Sequence, residues 1–282
     1  MIETSVLDRH RLGDHACVIV DDDRSRLAAL AVYIRAGLRD DDRVLYLGPG
    51  GDELLDGLAG LGFDGAGARN RGQLLLSTPE ESYLASGAFD PEVTMGGWRH
   101  ETALARAAGY RGLRAIGDMS WAARPVPGAD RLIGYEAQVN RVFADGSAMA
   151  ICLYDRRLFG HDELRRATWS HLSCVDHATA PGARPGMRAV RLTDPPGVRL
   201  EGEADLSNRH ALQALLEHLV EDTPPVEGPL TVDIADLRFA DDAAVRVLLR
   251  TVAAGAPRLR VVGCSPAIQR LLTFNGAEAI AR

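Results

Sequence analysis

The chain has 282 residues, 32 Lys+Arg against 39 Asp+Glu and a formal charge of -7, and it contains no lysine, so every fixed cation is an arginine. A Walker-type phosphate loop needs a lysine on the β/γ-phosphates and Schiff-base chemistry needs an amine nucleophile, so both are excluded. The acidic balance also argues against a chain that coats nucleic acid or an anionic membrane, since either needs a clustered positive field.

The first half alternates short apolar runs with longer amphipathic ones, the pattern of βα units building a mainly parallel sheet. Strands are expected at Ala16–Val20, Arg43–Leu47, Gln73–Leu76, Leu113–Gly117 and Ala148–Tyr154, each ended by Gly, Asp or Ser. Between them, Arg24–Leu38 places Leu27, Leu30, Ala31, Ile34 and Leu38 on one helical stripe, and Trp98–Ala108 and Asp130–Phe143 read as helices too. Both faces of the sheet should therefore be covered. Periodicity stops at Ala178–Gly186 (ATAPGARPG), a Pro/Gly-rich segment suited to a linker. Beyond it, Ala189–Leu192 and Val198–Ala204 alternate like half-exposed strands joined by a turn at Asp194–Gly197. A helix Arg209–Val220, a strand Leu230–Ile234, a helix Ala243–Ala253, a strand Leu259–Val262 and a helix Pro266–Phe274 complete the pattern. The expected division is a first domain at 1–179, a linker at 180–187 and a compact α/β domain at 188–282.

Cys17, Cys152, Cys174 and Cys264 lie far apart without CxxC spacing and read as reduced, mostly buried thiols. No apolar run approaches the roughly 18 residues of a membrane span, and MIETSVLDRHRLGDH lacks the basic-then-apolar layout of a signal peptide. A cytoplasmic protein without a membrane partner is expected. Arginine throughout, with abundant Ala and Gly, is the usage of a GC-rich bacterial genome.

The run Leu230–Leu249 (LTVDIADLRFADDAAVRVLL) is a buried strand, a turn and a helix with Val245, Leu248, Leu249 and Val252 on one face. With GVRLEGEADLSN (Gly197–Asn208) and LRVVGCSPAIQRLLTFNG (Leu259–Gly276), it resembles the STAS domain of bacterial anti-sigma factor antagonists from about Arg188 onward. The resemblance implies binding to an anti-sigma factor that is also a serine kinase, with release on phosphorylation of a Ser or Thr in a D-S-S-G or D-S-T-G motif. The matching residues here are Asp241, Asp242, Ala243 and Ala244. Ala243 has no nucleophilic oxygen, so phosphorylation should not switch this domain at that position. An acidic residue at a helix start ordinarily caps it. Alternatively, Asp242 supplies a permanent negative charge where a phosphate would appear, though with fewer acceptor oxygens.

In βα folds ligands bind at the C-terminal ends of the strands. The first such end reads IVDDDRSRLAAL (Ile19–Leu30); Asp21, Asp22 and Asp23 would repel phosphate and suit a solvated turn and helix cap, unless an acid or Arg24 faces a small ligand. Gly117–Asn140 (GDMSWAARPVPGADRLIGYEAQVN) and Cys152–Phe159 (CLYDRRLF) follow two further strands. Together with SYLASGAFDPE (Ser82–Glu92) and Gly109–Tyr110, these segments resemble the MEDS sensory domain of methanogen and methylotroph regulators over roughly residues 8–178. That resemblance implies a RecA/KaiC-like fold without its ATPase. The usual G-E-M-S-W reads Gly117-Asp118-Met119-Ser120-Trp121 here, and the usual His-Pro pair is not evident around His171. With a RecA-like strand order, Asp118, Trp121, Tyr154, Asp155, Arg156 and Arg157 would line one pocket with Asp21 and Arg24, offering an aromatic wall, carboxylates and an arginine fork to a small ligand. An Asp–Arg network holding the strand ends, with Trp121 and Tyr154 as core, is the competing reading. Asp118 also lies where a Walker-type acid would hold magnesium, but neither a metal nor a cofactor is expected without a phosphate loop.

Glu136 and Asn140, one helical turn apart, could contact a ligand but usually form a surface hydrogen bond. His171, Cys174 and His177 have H-x2-C-x2-H spacing, which on one helix turns the outer pair too far apart to share a metal. Ser120, His161 and Asp155 could be drawn as a triad, but no G-x-S-x-G elbow supports it. The expectation is a non-enzymatic signalling regulator: a sensor for a small-molecule ligand fused to an anti-anti-sigma output domain, partnered by an anti-sigma factor/serine kinase or another STAS protein. An enzyme using Asp118 and Tyr154–Arg157, and a scaffold for homo-oligomers, are the alternatives.

Overall fold

The computed structural model describes residues 6–180, 182–223, 227–255 and 258–276. In chain order its first half runs β1 (His15–Val20), α1 (Asp23–Arg39), β2 (Arg43–Leu47), α2 (Gly51–Gly60), α3 (Gly65–Asn70), β3 (Leu74–Ser77), α4 (Pro91–Ala107), β4 (Leu113–Asp118), α5 (Leu132–Phe143), β5 (Ala148–Asp155), α6 (His161–Ser170) and β6 (Ser173–Val175). The strands pair in parallel in the order β3-β2-β4-β5-β1-β6. β1 and β4 are buried at every residue, as strands covered on both faces must be. On one face Tyr33 and Ile34 of α1 pack against Val18, Ile116 and Ile151. On the other, Trp98 of α4 and Tyr135 and Phe143 of α5 pack against Cys17, Ala115 and Ala150.

The second half runs β7 (Met187–Thr193), β8 (Pro196–Ala204), α7 (Arg209–Glu217), α8 (Leu219–Asp222), β9 (Leu230–Asp233), β10 (Leu237–Ala240), α9 (Asp242–Gly255), β11 (Leu259–Val262) and α10 (Pro266–Phe274). Its sheet has the parallel order β10-β8-β9-β11, with β7 antiparallel on β8. The helix expected over Arg209–Val220 is broken at His218, and β10, read as a turn, pairs with β8. β10 escapes a periodicity reading because Leu237 and Ala240 are buried while the two residues between them are exposed. The strand end expected at Ile234 lies one residue beyond β9.

The chain between the two sheets is a tie as much as a linker. Gly186 N–H donates to Ser173 Oγ at 3.1 Å, and Met187 N–H donates to Leu172 O at 2.9 Å. Ala144 and Leu172 from the first half belong to the apolar core of the second. Helix α7 packs on α5 and α6, where the Arg209 guanidinium lies 4.2 Å from the centre of the Trp169 ring and His210 meets the same ring edge-on. Arg188 holds Asp14 through two hydrogen bonds of 2.5 and 2.6 Å, and Arg141 of α5 forms a two-pronged ion pair with Asp222 of α8.

A buried ion pair steadies the first sheet. Arg114 and Asp42 are both 0% exposed, their Nε–Oδ2 bond is 2.9 Å, and Tyr33 lies 4.7 Å under the guanidinium. Gly37 of α1 lets the helix cross this pair, because a Cβ there would sit 2.7 Å from Arg114 Cδ. Removing one member of a buried pair strands the other charge. Asp42→Ala should therefore lower the unfolding free energy by about 3–5 kcal/mol, and an unchanged urea midpoint would contradict this account.

Burial also governs His10, which packs against Tyr33 and whose ring nitrogens make no hydrogen bond. Desolvation lowers its pKa to about 4, with nearby Asp14 opposing the shift. Because the unfolded chain binds this proton more tightly, the stabilisation is complete above the ordinary pKa near 6.5 and is lost as the pH falls toward 4. His10→Phe should flatten the stability profile between pH 6.5 and 4 by roughly 2–4 kcal/mol, and parallel profiles for variant and parent would show that His10 titrates normally.

Candidate functional site

The order β4-β5-β1 brings three expected strand ends together. Their loops enclose a cleft of about 230 Å³ whose polar lining includes Asp23, Arg26, Asp118, Asp155 and Arg157. The charges in this cleft are paired internally. Arg26 donates to Asp118 Oδ2 at 2.7 and 3.0 Å and to the Tyr46 hydroxyl at 2.5 Å, while Ser120 N–H holds Asp118 Oδ1 at 3.0 Å. Arg157 bridges Asp155 and Asp23 at 2.6 Å each, and its guanidinium holds the Asp155 carboxyl below the usual carboxylate range. Arg156 pairs with Asp21 at 2.7 Å beside the cleft, and Arg24 is exposed. Asp22 caps α1 by accepting from Ser25 N–H at 2.7 Å, so the acidic run is a helix cap flanked by two ion-paired acids.

Trp121 and Tyr154 do not line this cleft. Trp121, 1% exposed, stacks on Tyr83 at 5.5 Å and against Phe89 at 4.9 Å in the core on the α4–α5 face. Tyr154 is 2% exposed because strand alternation turns it and Cys152 toward α5, while Leu153 faces the opposite core. Of the Ser120, His161 and Asp155 set, Asp155 is held by Arg157. Asp118, at the position of a Walker-type acid, has one oxygen on Arg26 and the other on Ser120 N–H.

Behind Tyr154 lies a polar cluster inside the fold. Glu136 and Asn140 are 0% exposed, contrary to the expected surface pair. Glu136 Oε1 accepts from the Tyr154 hydroxyl at 2.9 Å. Its Oε2 lies 3.5 Å from His15 Nε2, 3.4 Å from His171 Nε2 and 3.5 Å from Cys152 Sγ, and His15 Nε2 is 3.3 Å from that sulfur. Asn140 Nδ2 donates to the carbonyls of Glu136, Ala137 and Ser170, each at 2.9 Å, so its Oδ1 faces His15 Nδ1 at 3.0 Å. Burial raises the Glu136 pKa to about 7 against the pull of Tyr154 and Cys152, and it lowers that of His171 to about 4. Desolvation pushes His15 well below its ordinary value and the Cys152 thiol well above.

Of the H-x2-C-x2-H trio, only His171 joins this cluster. Cys174 sits on β6, hydrogen-bonded near Thr168, and the exposed His177 lies 3.5 Å from Asp21. A helix was the wrong frame for the trio because the chain turns from α6 into β6 at His171. A signal for Glu136 was present. It lies four residues after Leu132, three before Val139 and seven before Phe143, which is a core position of the α5 stripe.

In the second half, Asp241 caps α9 by accepting from Ala244 N–H at 2.8 Å, and its other oxygen holds Leu206 N–H at 2.9 Å. Asp242 is exposed but paired, accepting from Arg246 Nε at 2.7 Å and Asn275 Nδ2 at 2.9 Å; these bonds, Arg246 foremost, lower its pKa. Ala243 is partly exposed between them. Leu206 and Phe274, 46% and 85% exposed, lie on the segments that these bonds tie to the helix start, and Phe239, 50% exposed, lies on β10 just before it. A hollow of about 750 Å³ between α7 and α9 contains none of the expected site residues.

A parallel α/β sheet unit whose strand-end acids are held by arginines packs on a second α/β unit that carries exposed apolar side chains near the start of α9. The chain belongs to the MEDS family: the family model described as "MEthanogen/methylotroph, DcmR Sensory domain" matches residues 14–172, more than half of its length. The model described as "Mlab, STAS domain" matches residues 187–281. Solved structures similar to the chain include the KaiC-like protein PH0186 from Pyrococcus horikoshii OT3 (10% identity, 58% of this chain and 70% of that chain, TM-score 0.43). Another is the flagellar accessory protein FlaH from Methanocaldococcus jannaschii (13% identity, 64% and 74%, TM-score 0.42). No curated protein matches the chain. Among the described residues no helix is long and apolar enough to cross a membrane.

The two neighbouring acids at the α9 start should separate by mutation. Asp241→Ala loses a cap and the Leu206 tether and should cost about 1–2 kcal/mol, whereas Asp242→Ala loses only solvent-exposed bonds and should leave the denaturation midpoint nearly unchanged. Equal shifts in the denaturation midpoints would contradict this assignment.

Proposed function

We propose that the chain is a non-enzymatic cytoplasmic regulator in which the sensory half governs a STAS output half that binds an anti-sigma factor of the kinase type, or another STAS protein, without being phosphorylated at α9. The observation that carries this reading is the α9 start. Exposed Leu206, Phe239 and Phe274 lie on the segments next to it, and Ala243 stands where the family's acceptor hydroxyl stands. An exposed apolar surface of this kind suits a protein partner. Packing of α7 on α5 and α6 supports a route by which a ligand favouring one arrangement of the halves would change the output surface. The absence of turnover is supported by the internal pairing of Arg26 with Asp118 and Arg157 with Asp155, which leaves neither an acid for magnesium nor these arginines for phosphate.

Purified protein is mixed with STAS-directed serine kinases of anti-sigma type and ATP, and binding and phosphate incorporation are followed separately. The expected result is complex formation with no label in α9, and label appearing at the new hydroxyl in Ala243→Ser. Phosphate mapping to α9 of the parent chain would refute the switch-free reading. ATP or GTP hydrolysis with magnesium that is abolished by Asp118→Asn would establish an enzyme instead.

A further inference from the structure

The buried cluster between β1, β5, α5 and α6 has a proton arrangement that calls for a cation. Asn140 Oδ1 and Ala167 O are acceptors, so His15 and His171 each carry a proton on Nδ1, the latter across 2.7 Å. Each neutral ring then points the bare lone pair of Nε2 at Glu136 Oε2, itself an acceptor. His171 Nε2 is buried and makes no hydrogen bond. Two imidazole lone pairs and a carboxylate oxygen thus converge on one spot beside the Cys152 sulfur.

We propose that His15, Glu136, Cys152 and His171 form a binding site for a divalent transition metal of the Zn2+ class. Bonds of about 2.0–2.3 Å to nitrogen, oxygen and sulfur place tetrahedral ligands about 3.3–3.6 Å apart. Four of the six separations are 3.3 to 3.5 Å, and all four donor atoms lie within 4.8 Å of one another. Two imidazoles, a thiolate and a carboxylate suit Zn2+, Co2+ or Fe2+ and disfavour Mg2+ and Ca2+, which want oxygen. The thiolate and the carboxylate neutralise the dication, so no net charge is buried. On binding, the metal–sulfur bond replaces the thiol S–H and the proton passes to solvent. Asn140 and Ala167 O already orient the two rings, as outer partners of ligating histidines do. Four protein ligands leave no open position for a substrate, which fits a sensory or structural centre.

The full chain is unfolded in chelator, refolded without metal and titrated with Co2+, then with Zn2+. The expected result is one Co2+ per chain with visible d–d bands and a near-ultraviolet thiolate charge-transfer band, both abolished by Zn2+. The refolded parent should also melt at a higher temperature with Zn2+ than without. Cys152→Ala should lose the charge-transfer band, Cys174→Ala should keep it, and His171→Ala should weaken binding at least ~10-fold. The parent chain decides the matter even where a variant fails to fold. A folded parent that binds no Co2+ with thiolate character, or a band lost in Cys174→Ala and kept in Cys152→Ala, overturns the assignment.

Discussion

Parallel pairing of β5 with β4 on one side and β1 on the other is the constraint from which both polar regions of the first half follow. These strands are covered on both faces, so their side chains must be apolar or fully partnered. Apart from the buried Arg114–Asp42 pair, polar chemistry around these strands gathers in two places. One is the set of strand ends, where Asp118 and Asp155 meet arginines. The other is the α5 face, where the register Cys17↔Cys152 and Ile19↔Tyr154 brings β1 and β5 side chains under Glu136.

The same two helices face both ways. α5 presents Glu136 and Asn140 inward and carries Arg141, which pairs with Asp222 of the second half. His171 ends α6, and the next residue, Leu172, packs in the second core while its carbonyl accepts from Met187 N–H. The polar cluster and the core of the second half are therefore one residue apart in the chain at this point. Packed interfaces tend to shift between discrete arrangements rather than deform smoothly, so coupling through α5 and α6 needs no dedicated relay.

Strands β1, β2, β4 and β5 were legible because a strand buried on both faces is a short, mostly apolar run, which in β4 only Arg114 interrupts before the strand end. Helix α6 was not legible, since only Leu164 and Ala167 among its apolar side chains are buried and its remaining face is charged. The strand-end acids were legible as a set, because topology alone brings them together. Their partner Arg26 was not, because it reaches Asp118 across 92 positions of sequence. The buried cluster failed to emerge for a related reason. It draws one residue from each of four elements, whereas a motif scan rewards close spacing, and the close spacing of His171, Cys174 and His177 pointed elsewhere.

Charge pairing also decides how far Asp242 can imitate a phosphate. A phosphoserine offers about two negative charges and three acceptor oxygens to a partner. Asp242 offers one charge, and both of its oxygens are occupied, one by Arg246 and one by Asn275. Little of that field is left to face a docking protein, so capture by charge at this position is weak and the exposed apolar side chains must supply most of any contact. The first half repeats the pattern, with Asp118 and Asp155 each held by an arginine that a phosphate would otherwise need. In both units the groups placed where phosphate chemistry would occur are bonded to the protein itself. Control by arrangement of the two halves is the physical alternative to control by phosphate, and the shared helices α5 and α6 are where it would act.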